Sequence, residues 1–234
     1  MTDAAIPDRT PELGRSEATA LLERRGVADA VALIGVRGFF GAMGQSPGND
    51  PGIYDDAVFL VTPDACRGFL FNTDPTRFEP PNVTLKAGLW RYKPGNHNPP
   101  SRGSVPYKAL VHAGNVVWVT AYPQNLDHYR LFGALKNVGL REDLPDIRAY
   151  QDAVREKHGR VIADDIIEWP MEEHINIHRG GAEGTSSKGC QTVHPSMWDD
   201  FIGSVYGKLR EHRQPDVPYL LLEARDLAVA QSGG

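Results

Sequence analysis

A cysteine and a histidine in one glycine-rich stretch are the residues of this sequence best suited to chemistry. His178 ends an alternating segment, and Cys190 follows twelve positions later, directly after Gly189. Thiol catalysis requires a thiolate, a nearby base and backbone N–H groups directed at the oxyanion that forms. Gly189 allows a tight backbone turn beside the sulfur, and Lys188 adds positive potential that favours a thiolate. The pattern therefore indicates a cysteine nucleophile with a histidine base.

Two less reactive interpretations of the same residues stay open. A lone cysteine is most commonly a small, buried hydrophobic side chain, and Cys190 fits that description too. Nitrogen and sulfur donors in this region could also suggest a zinc site; they are His174, His178, Cys190 and His194. Their spacing matches no common zinc motif, so the sequence predicts neither a metal nor another cofactor.

The elements predicted around this stretch hold both residues in place. His174–His178 alternates polar and apolar residues, which predicts a half-buried strand that ends at the base. Ser196 and Asp199 resemble a capping box, which predicts a helix after the glycine-rich loop. Tyr219–Glu223 predicts a closing strand. The apolar stripe of the helix is interpreted as core packing and consists of Trp198, Phe201, Ile202, Val205, Tyr206 and Leu209.

The rest of the chain predicts short strands separated by turns. Glycine and proline, 24 and 18 of 234 residues, favour this over a helical bundle. Tracts 43–56 and 93–106 are predicted as long loops, and 112–115 as the turn of a tight hairpin. Helices are predicted at 16–26 and around 146–157. Further strands are predicted at 31–40, 57–61, 68–71, 84–92, 107–112 and 116–121.

These elements predict one α+β domain that is β-rich, with mostly antiparallel sheets and peripheral helices. Residues 15–234 are assigned to this domain, and residues 1–14 to a flexible leader. The net charge of −5 argues against a nucleic-acid partner. No apolar run approaches the roughly 20 residues of a membrane span, and the N-terminus lacks a secretory pattern. We therefore expect a protein made in soluble form in the cytoplasm, without membrane insertion.

Two short motifs resemble one known family of enzymes. Ile177–Gly180 and Ser187–Cys190 are similar to the signature of L,D-transpeptidases, whose YkuD-type catalytic domain has a His-Gly element followed by Ser-x-Gly-Cys. The resemblance covers Ile175–Val193, with a looser likeness at Lys86–Tyr92. It implies a β-rich domain of sandwich or barrel form. It also implies that peptidoglycan stem peptides are the substrates.

The resemblance also assigns roles to individual residues. Cys190 becomes the nucleophile that attacks the carbonyl of a diaminopimelate–D-alanine bond, forming an acyl-enzyme, and His178 becomes its base. The N–H groups of Gly189 and Cys190 become the oxyanion-hole candidates, and Ser187 matches the serine of the motif. A backbone carbonyl just after the histidine, from Arg179 or Gly180, is expected to orient its ring.

Several departures from the family pattern bear on the acceptor and on specificity. The interval from histidine to cysteine is short, Arg179 separates His178 from its glycine, Lys188 stands where a histidine is frequent, and Gln191–Thr192 replace an aliphatic pair. Together with the lack of an export signal, this resembles endolysin-like or prophage members that act on the wall after release.

Three functional hypotheses follow. Hydrolysis by a thiol peptidase is favoured over cross-link formation by a transpeptidase, and a catalytically silent wall-binding or virion protein is the alternative of another class. The candidate substrate-binding residues are Arg179, Lys188, Tyr92 and His97. All three hypotheses name stem peptides or the wall as the partner, and catalysis requires that Cys66 and Cys190 are not joined in a disulfide.

Overall fold

The computed structural model describes most of the chain outside one long internal segment. The described residues are 5–41, 43, 50–77, 82–98, 104–114, 117–121, 167–171 and 175–227. The helices are α1 (Arg15–Arg24) and α2 (Pro195–Glu211). The strands are β1 (Ala32–Arg37), β2 (Asp56–Val61), β3 (Cys66–Asn72), β4 (Val83–Leu85), β5 (Gly88–His97), β6 (Tyr107–His112), β7 (Val117–Ala121), β8 (Ile167–Met171), β9 (Ile177–Arg179), β10 (Gln191–Val193) and β11 (Val217–Glu223).

Eight of these strands close into a barrel in the order β1-β11-β5-β6-β9-β10-β3-β2. The β1–β11 and β9–β10 pairs are parallel, and the other six pairs are antiparallel. The strands β4, β7 and β8 form a separate three-stranded sheet. The predicted strand-rich, mostly antiparallel architecture is therefore confirmed, whereas a β-sandwich is not.

The barrel interior is an apolar core that one helix closes. Leu33 and Tyr219 are fully buried in it, since alternate residues of each strand point inward. Gly35 makes room for the Tyr219 ring, because a β-carbon at this position would collide with the ring. The apolar face of α2 joins the same core, as predicted from its spacing; the contributing residues are Trp198, Phe201, Ile202, Val205 and Leu209.

The helix α1 covers the outer face of the barrel, where its apolar residues pack on the outward side chains of β1, β2 and β11. Ala18, Leu21 and Leu22 lie against Ile34 and Phe59 in a second core. The predicted helix at 16–26 is confirmed, although it begins one residue earlier, at Arg15.

Pairing between distant strands overturns two expectations for the middle of the chain. The predicted hairpin at 112–115 is wrong, because β6 pairs with β5 and β9 while β7 pairs with β4 and β8. The predicted loop at 93–106 is also partly wrong. Its first five residues continue β5, with Lys93 opposite Val111 and His97 opposite Tyr107. Cross-strand pairing outweighs the turn-forming composition of this tract.

Some predictions lie outside the described residues. They are the helix around 146–157, residues 44–49 of the loop at 43–56, and His174. Neither helix of the described ranges combines the length and apolar character that crossing a membrane requires.

Candidate active site

His178 lies on β9, and Cys190 directly precedes β10, the parallel strand beside it. The register of β10 and β9 places Gln191 opposite Ile177 and Thr192 opposite His178, so Cys190 lies beside Asn176. The backbone N–H of Asn176 hydrogen-bonds the cysteine sulfur. Strands lie about 4.8 Å apart, and same-side neighbours on one strand about 6.6 Å apart. The α-carbons of Cys190 and His178 are therefore ~8 Å apart, within the combined reach of the two side chains.

The hydrogen bonds of His178 fix which ring nitrogen carries the proton. Its Nδ1 lies 2.8 Å from the backbone oxygen of Arg179. A carbonyl can only accept a hydrogen bond, so Nδ1 carries the proton and Nε2 of the neutral ring is the acceptor. Of the two carbonyls expected to orient the ring, Arg179 rather than Gly180 makes this contact. The hydroxyl of Tyr107 donates to the same oxygen at 3.3 Å and lies 3.3 Å from Nδ1.

His97 stacks face to face on His178. The ring centroids are 4.0 Å apart and the planes differ by 15°. His97 is the last residue of β5, and it reaches this position because β5 pairs with β6, which pairs with β9. Its Nδ1 lies 3.5 Å from the side-chain nitrogen of Asn176. The sequence named His97 only as a substrate-binding candidate, and the strand order that brings it to the base could not be read from the residues.

Burial keeps both members of the proposed pair uncharged. Burial of the sulfur raises the pKa of Cys190 to about 11, although the N–H of Asn176 opposes the shift. Burial lowers the pKa of His178 to about 4, and the neighbouring His97 adds to the decrease. The expectation that Lys188 favours a thiolate is therefore wrong, because Lys188 is exposed and burial dominates. At neutral pH the site holds a thiol and a neutral imidazole.

Tyr107 also responds to the charge of the cysteine. Burial raises the pKa of Tyr107, the Arg179 guanidinium opposes this, and a Cys190 thiolate raises it further. The phenol thus lies close enough to sense both the sulfur and the base, and it belongs to the same site. In the sequence, Tyr107 stands at the start of a predicted strand.

Ser187 shapes the loop before Cys190. Its Oγ accepts a hydrogen bond from the N–H of Gly189 at 2.9 Å and donates one to the carbonyl of Cys190 at 2.6 Å. Its own backbone is paired on both sides with Thr76. The N–H of Gly189 is therefore engaged inside the loop, which corrects its assignment to an oxyanion hole. The matching assignment of the Cys190 N–H stays a prediction.

Two features of position 189 require glycine: its backbone conformation and the close approach of Val83. Its φ is 147°, a conformation that side chains with a β-carbon rarely adopt. A β-carbon at this position would lie 2.6 Å from a methyl carbon of Val83 and 2.7 Å from its oxygen. The N–H of Val83 donates to the carbonyl of Lys188 at 2.9 Å. The cysteine loop is thereby attached to β4 of the small sheet.

Gln191 connects the cysteine loop to the barrel interior. Its side-chain nitrogen donates to the carbonyls of Thr73 and Gly189, at 3.1 and 3.3 Å. Its side-chain oxygen accepts from the Tyr219 hydroxyl at 3.0 Å. The sequence treated Gln191 only as a departure from the family motif. A polar residue directly after Cys190, at the start of a strand, was the available signal.

The four candidate substrate-binding residues occupy different environments. Arg179 and Lys188 are exposed, and the Arg179 guanidinium lies 5.3 Å from the centre of the Tyr107 ring. His97 is half-buried. Tyr92 is fully buried in the barrel, where it packs edge-on against Tyr219. Its assignment to a substrate groove is therefore wrong, because its inward position on β5 leaves it no exposed surface.

Cys66 and His194 are not part of the Cys190–His178 site. Both Cys66 and Cys190 are thiols rather than a disulfide. His194 caps α2 by accepting from the N–H of Ser196 at 3.3 Å, so the predicted cap at Ser196 is displaced by two residues. No three His, Cys, Asp or Glu side chains of the described ranges are grouped as a metal ion requires.

Comparison with known proteins gives no match: no family model, no curated protein and no solved structure is significantly similar to the chain. The interpretation of the site therefore depends on its geometry and on the short motif resemblance.

Proposed function

We propose that this protein is a cysteine-dependent enzyme that acts on peptidoglycan stem peptides through an acyl-enzyme, with hydrolysis as the main outcome. The observation that carries the proposal is the fixed tautomer of His178. Its Nδ1 is committed to the Arg179 carbonyl, and Nε2 is left as a base on the strand beside Cys190. This is the arrangement that activates a thiol nucleophile.

The neutral resting pair implies general-base catalysis rather than a preformed ion pair. As the sulfur attacks the peptide carbonyl, Nε2 of His178 takes the thiol proton. The same proton then passes to the nitrogen of the departing D-alanine, and the carbonyl remains as a thioester on Cys190. A water molecule attacks the thioester, gives one proton to His178, and releases the acid. The proton returns to the sulfur and the enzyme is regenerated.

Two exposed cations beside the site support an acidic peptide as the substrate. Arg179 follows the base directly, and Lys188 lies two residues before the nucleophile. Packing of the guanidinium on the Tyr107 ring holds Arg179 near the site. Stem peptides carry free carboxylates, which guanidinium groups bind in a bidentate manner. These cations stand out because the chain as a whole carries a net charge of −5.

Incubation with intact sacculi followed by mass analysis of the soluble products tests the proposal. The wild-type protein is expected to release D-alanine or shortened stem peptides, whereas Cys190→Ala releases none. Cys66→Ala is the matched control, because Cys66 is also a half-buried thiol whose pKa burial raises to about 11. Turnover that persists in Cys190→Ala would reject the proposal.

Cross-link formation is separated from hydrolysis by adding an amine acceptor. An acceptor peptide captures the acyl group only in a transpeptidase, and oxygen from ¹⁸O-labelled water enters the product only in a hydrolase. We expect the labelled acid to dominate.

The second candidate function is a catalytically silent wall-binding protein. The raised pKa of Cys190 and the lowered pKa of His178 favour this candidate over a thiol enzyme with a preformed thiolate. Slow alkylation of Cys190 at neutral pH is expected for both candidates. The discriminating result is therefore sedimentation with sacculi without any released product.

A further inference from the structure

We propose that His97 is a positioning residue for the catalytic base: it holds the His178 ring by face-to-face stacking so that Nε2 stays directed at Cys190. This inference rests on the proposed function and adds a second histidine to that site, on a strand 81 positions upstream of the base.

The contact between the two rings is close and nearly parallel, at 4.0 Å and 15°. The hydrogen bond from Nδ1 to the Arg179 carbonyl fixes one edge of the His178 ring but leaves rotation about that bond. A flat ring packed on its face removes this remaining freedom. Stacking and the hydrogen bond together therefore define both the tautomer and the plane of the base.

Asn176 connects His97 to the nucleophile. Its side-chain amide approaches Nδ1 of His97 at 3.5 Å, and its backbone N–H bonds the Cys190 sulfur. An amide nitrogen donates, so the contacted nitrogen of His97 is the unprotonated one and the ring is neutral. The stack and the sulfur thus share one residue directly before β9, which fixes their relative position.

A neutral His97 is also the form that catalysis needs. His178 becomes positively charged when it takes the thiol proton, and a neutral aromatic face tolerates that charge better than a second cation at 4.0 Å. The titratable side chains in contact with His178 are His97 from β5 and Tyr107 from β6. Tyr107 in turn carries the Arg179 guanidinium on its ring and senses the charge of Cys190. Burial lowers the pKa of His97, which keeps it neutral near pH 7.

The test compares His97→Ala, His97→Phe and Asn96→Ala with the wild type. Asn96 is the exposed neighbour of His97 on β5 and serves as the control. Two readouts are used: kcat and KM on a soluble stem peptide across pH, and the tautomer and titration of His178 by nitrogen NMR. The NMR readout needs no turnover, so it tests the stack even if the proposed reaction fails.

His97→Ala is expected to lower kcat on the order of 100-fold with KM nearly unchanged, and to reduce the Nδ1–H tautomer of His178. His97→Phe keeps the stack, so kcat and the tautomer are retained. The acid limb of the kcat–pH profile of His97→Phe moves to higher pH. The reason is that the repulsion between two imidazoles is lost and the phenyl face stabilises the imidazolium of His178. Asn96→Ala behaves as the wild type.

The proposal is overturned if His97→Ala matches Asn96→Ala in the tautomer and titration of His178. It is also overturned if His97→Ala raises KM and leaves kcat intact, since that pattern indicates a substrate contact.

Discussion

At the residue scale, the chemistry of the site follows from what contacts each edge and face of one imidazole. The Arg179 carbonyl holds the proton on Nδ1 of His178, and His97 covers one face of the ring. The same burial that orders the ring also lowers its pKa and raises that of Cys190. The ordered site therefore holds a thiol rather than a thiolate, and in the proposed reaction the proton moves during attack on the substrate.

Replacement of Ser187 by alanine tests the loop geometry at this scale. The hydroxyl links the N–H of Gly189 to the carbonyl of Cys190, and its loss leaves a buried donor without its partner. We expect the free energy of unfolding to fall by about 2 kcal/mol and kcat to fall with it. Denaturant unfolding measures the first effect, with Ser16→Ala, at an exposed position in α1, as the control. Equal stability of the two variants would show that the Ser187 hydroxyl contributes nothing to the loop.

At the element scale, the candidate site combines β9 and β10, which follow each other in the chain, with β5, which is remote in sequence. His178 is on β9, Cys190 precedes β10, and β5 supplies His97 through its pairing with β6. The loop between β9 and β10 is attached to β4 through Val83. The arrangement therefore requires the neighbouring order β5-β6-β9-β10 within the barrel.

Gly189→Ala tests the attachment of the cysteine loop to β4. The added methyl group meets Val83 and forces an unfavourable φ, which costs on the order of 3 kcal/mol. Gly184→Ala is the matched control, because a β-carbon at that position has no atom within 4 Å. Thermal unfolding should show a large decrease in melting temperature for Gly189→Ala only. Similar melting temperatures of the two variants would contradict the close contact between Gly189 and Val83.

The sequence predicted the parts of this site that are contiguous in the chain. Cys190, Ser187 and the glycine between them lie within one motif, and His178 ends the adjacent predicted strand. His97 could not be placed, because its position depends on the register of β5, β6 and β9. The inward orientation of Tyr92 was missed for the same reason. The direction of the Cys190 pKa was mispredicted, since it depends on burial rather than on the charge of Lys188.

At the scale of the whole molecule, the barrel contains buried charges beside its apolar core. Arg37 is buried and pairs with Asp74 at 3.4 Å and with Glu223 at 2.8 Å. Asp56 accepts the N–H groups of Gly38 and Thr73. Burial nonetheless raises the pKa of Asp56 well above its usual value, with the neighbouring carboxylates adding to the rise. The stability of the fold should therefore depend on pH.

Asp55 gives this dependence a definite sign. Burial raises its pKa from 3.8 to about 7, so the folded state prefers the neutral carboxyl. The stabilisation of the folded state by the neutral Asp55 carboxyl is fully present below about pH 4 and is lost as pH rises through 7. Asp55→Asn should therefore leave stability unchanged near pH 4 and increase it on the order of 2 kcal/mol at pH 8. Denaturant unfolding at both pH values checks this, with the exposed Asp64→Asn as the control.

The most direct test of the proposed function is the intact mass of the protein after rapid mixing with a soluble stem tetrapeptide. The wild type should gain the mass of the substrate less D-alanine, and peptide mapping should locate the adduct on Cys190. Cys190→Ala should gain nothing, and Cys66→Ala should behave as the wild type. Two results would contradict a reaction through Cys190. One is product release that shows no Cys190 adduct and that persists in Cys190→Ala, and the other is an adduct on Cys66.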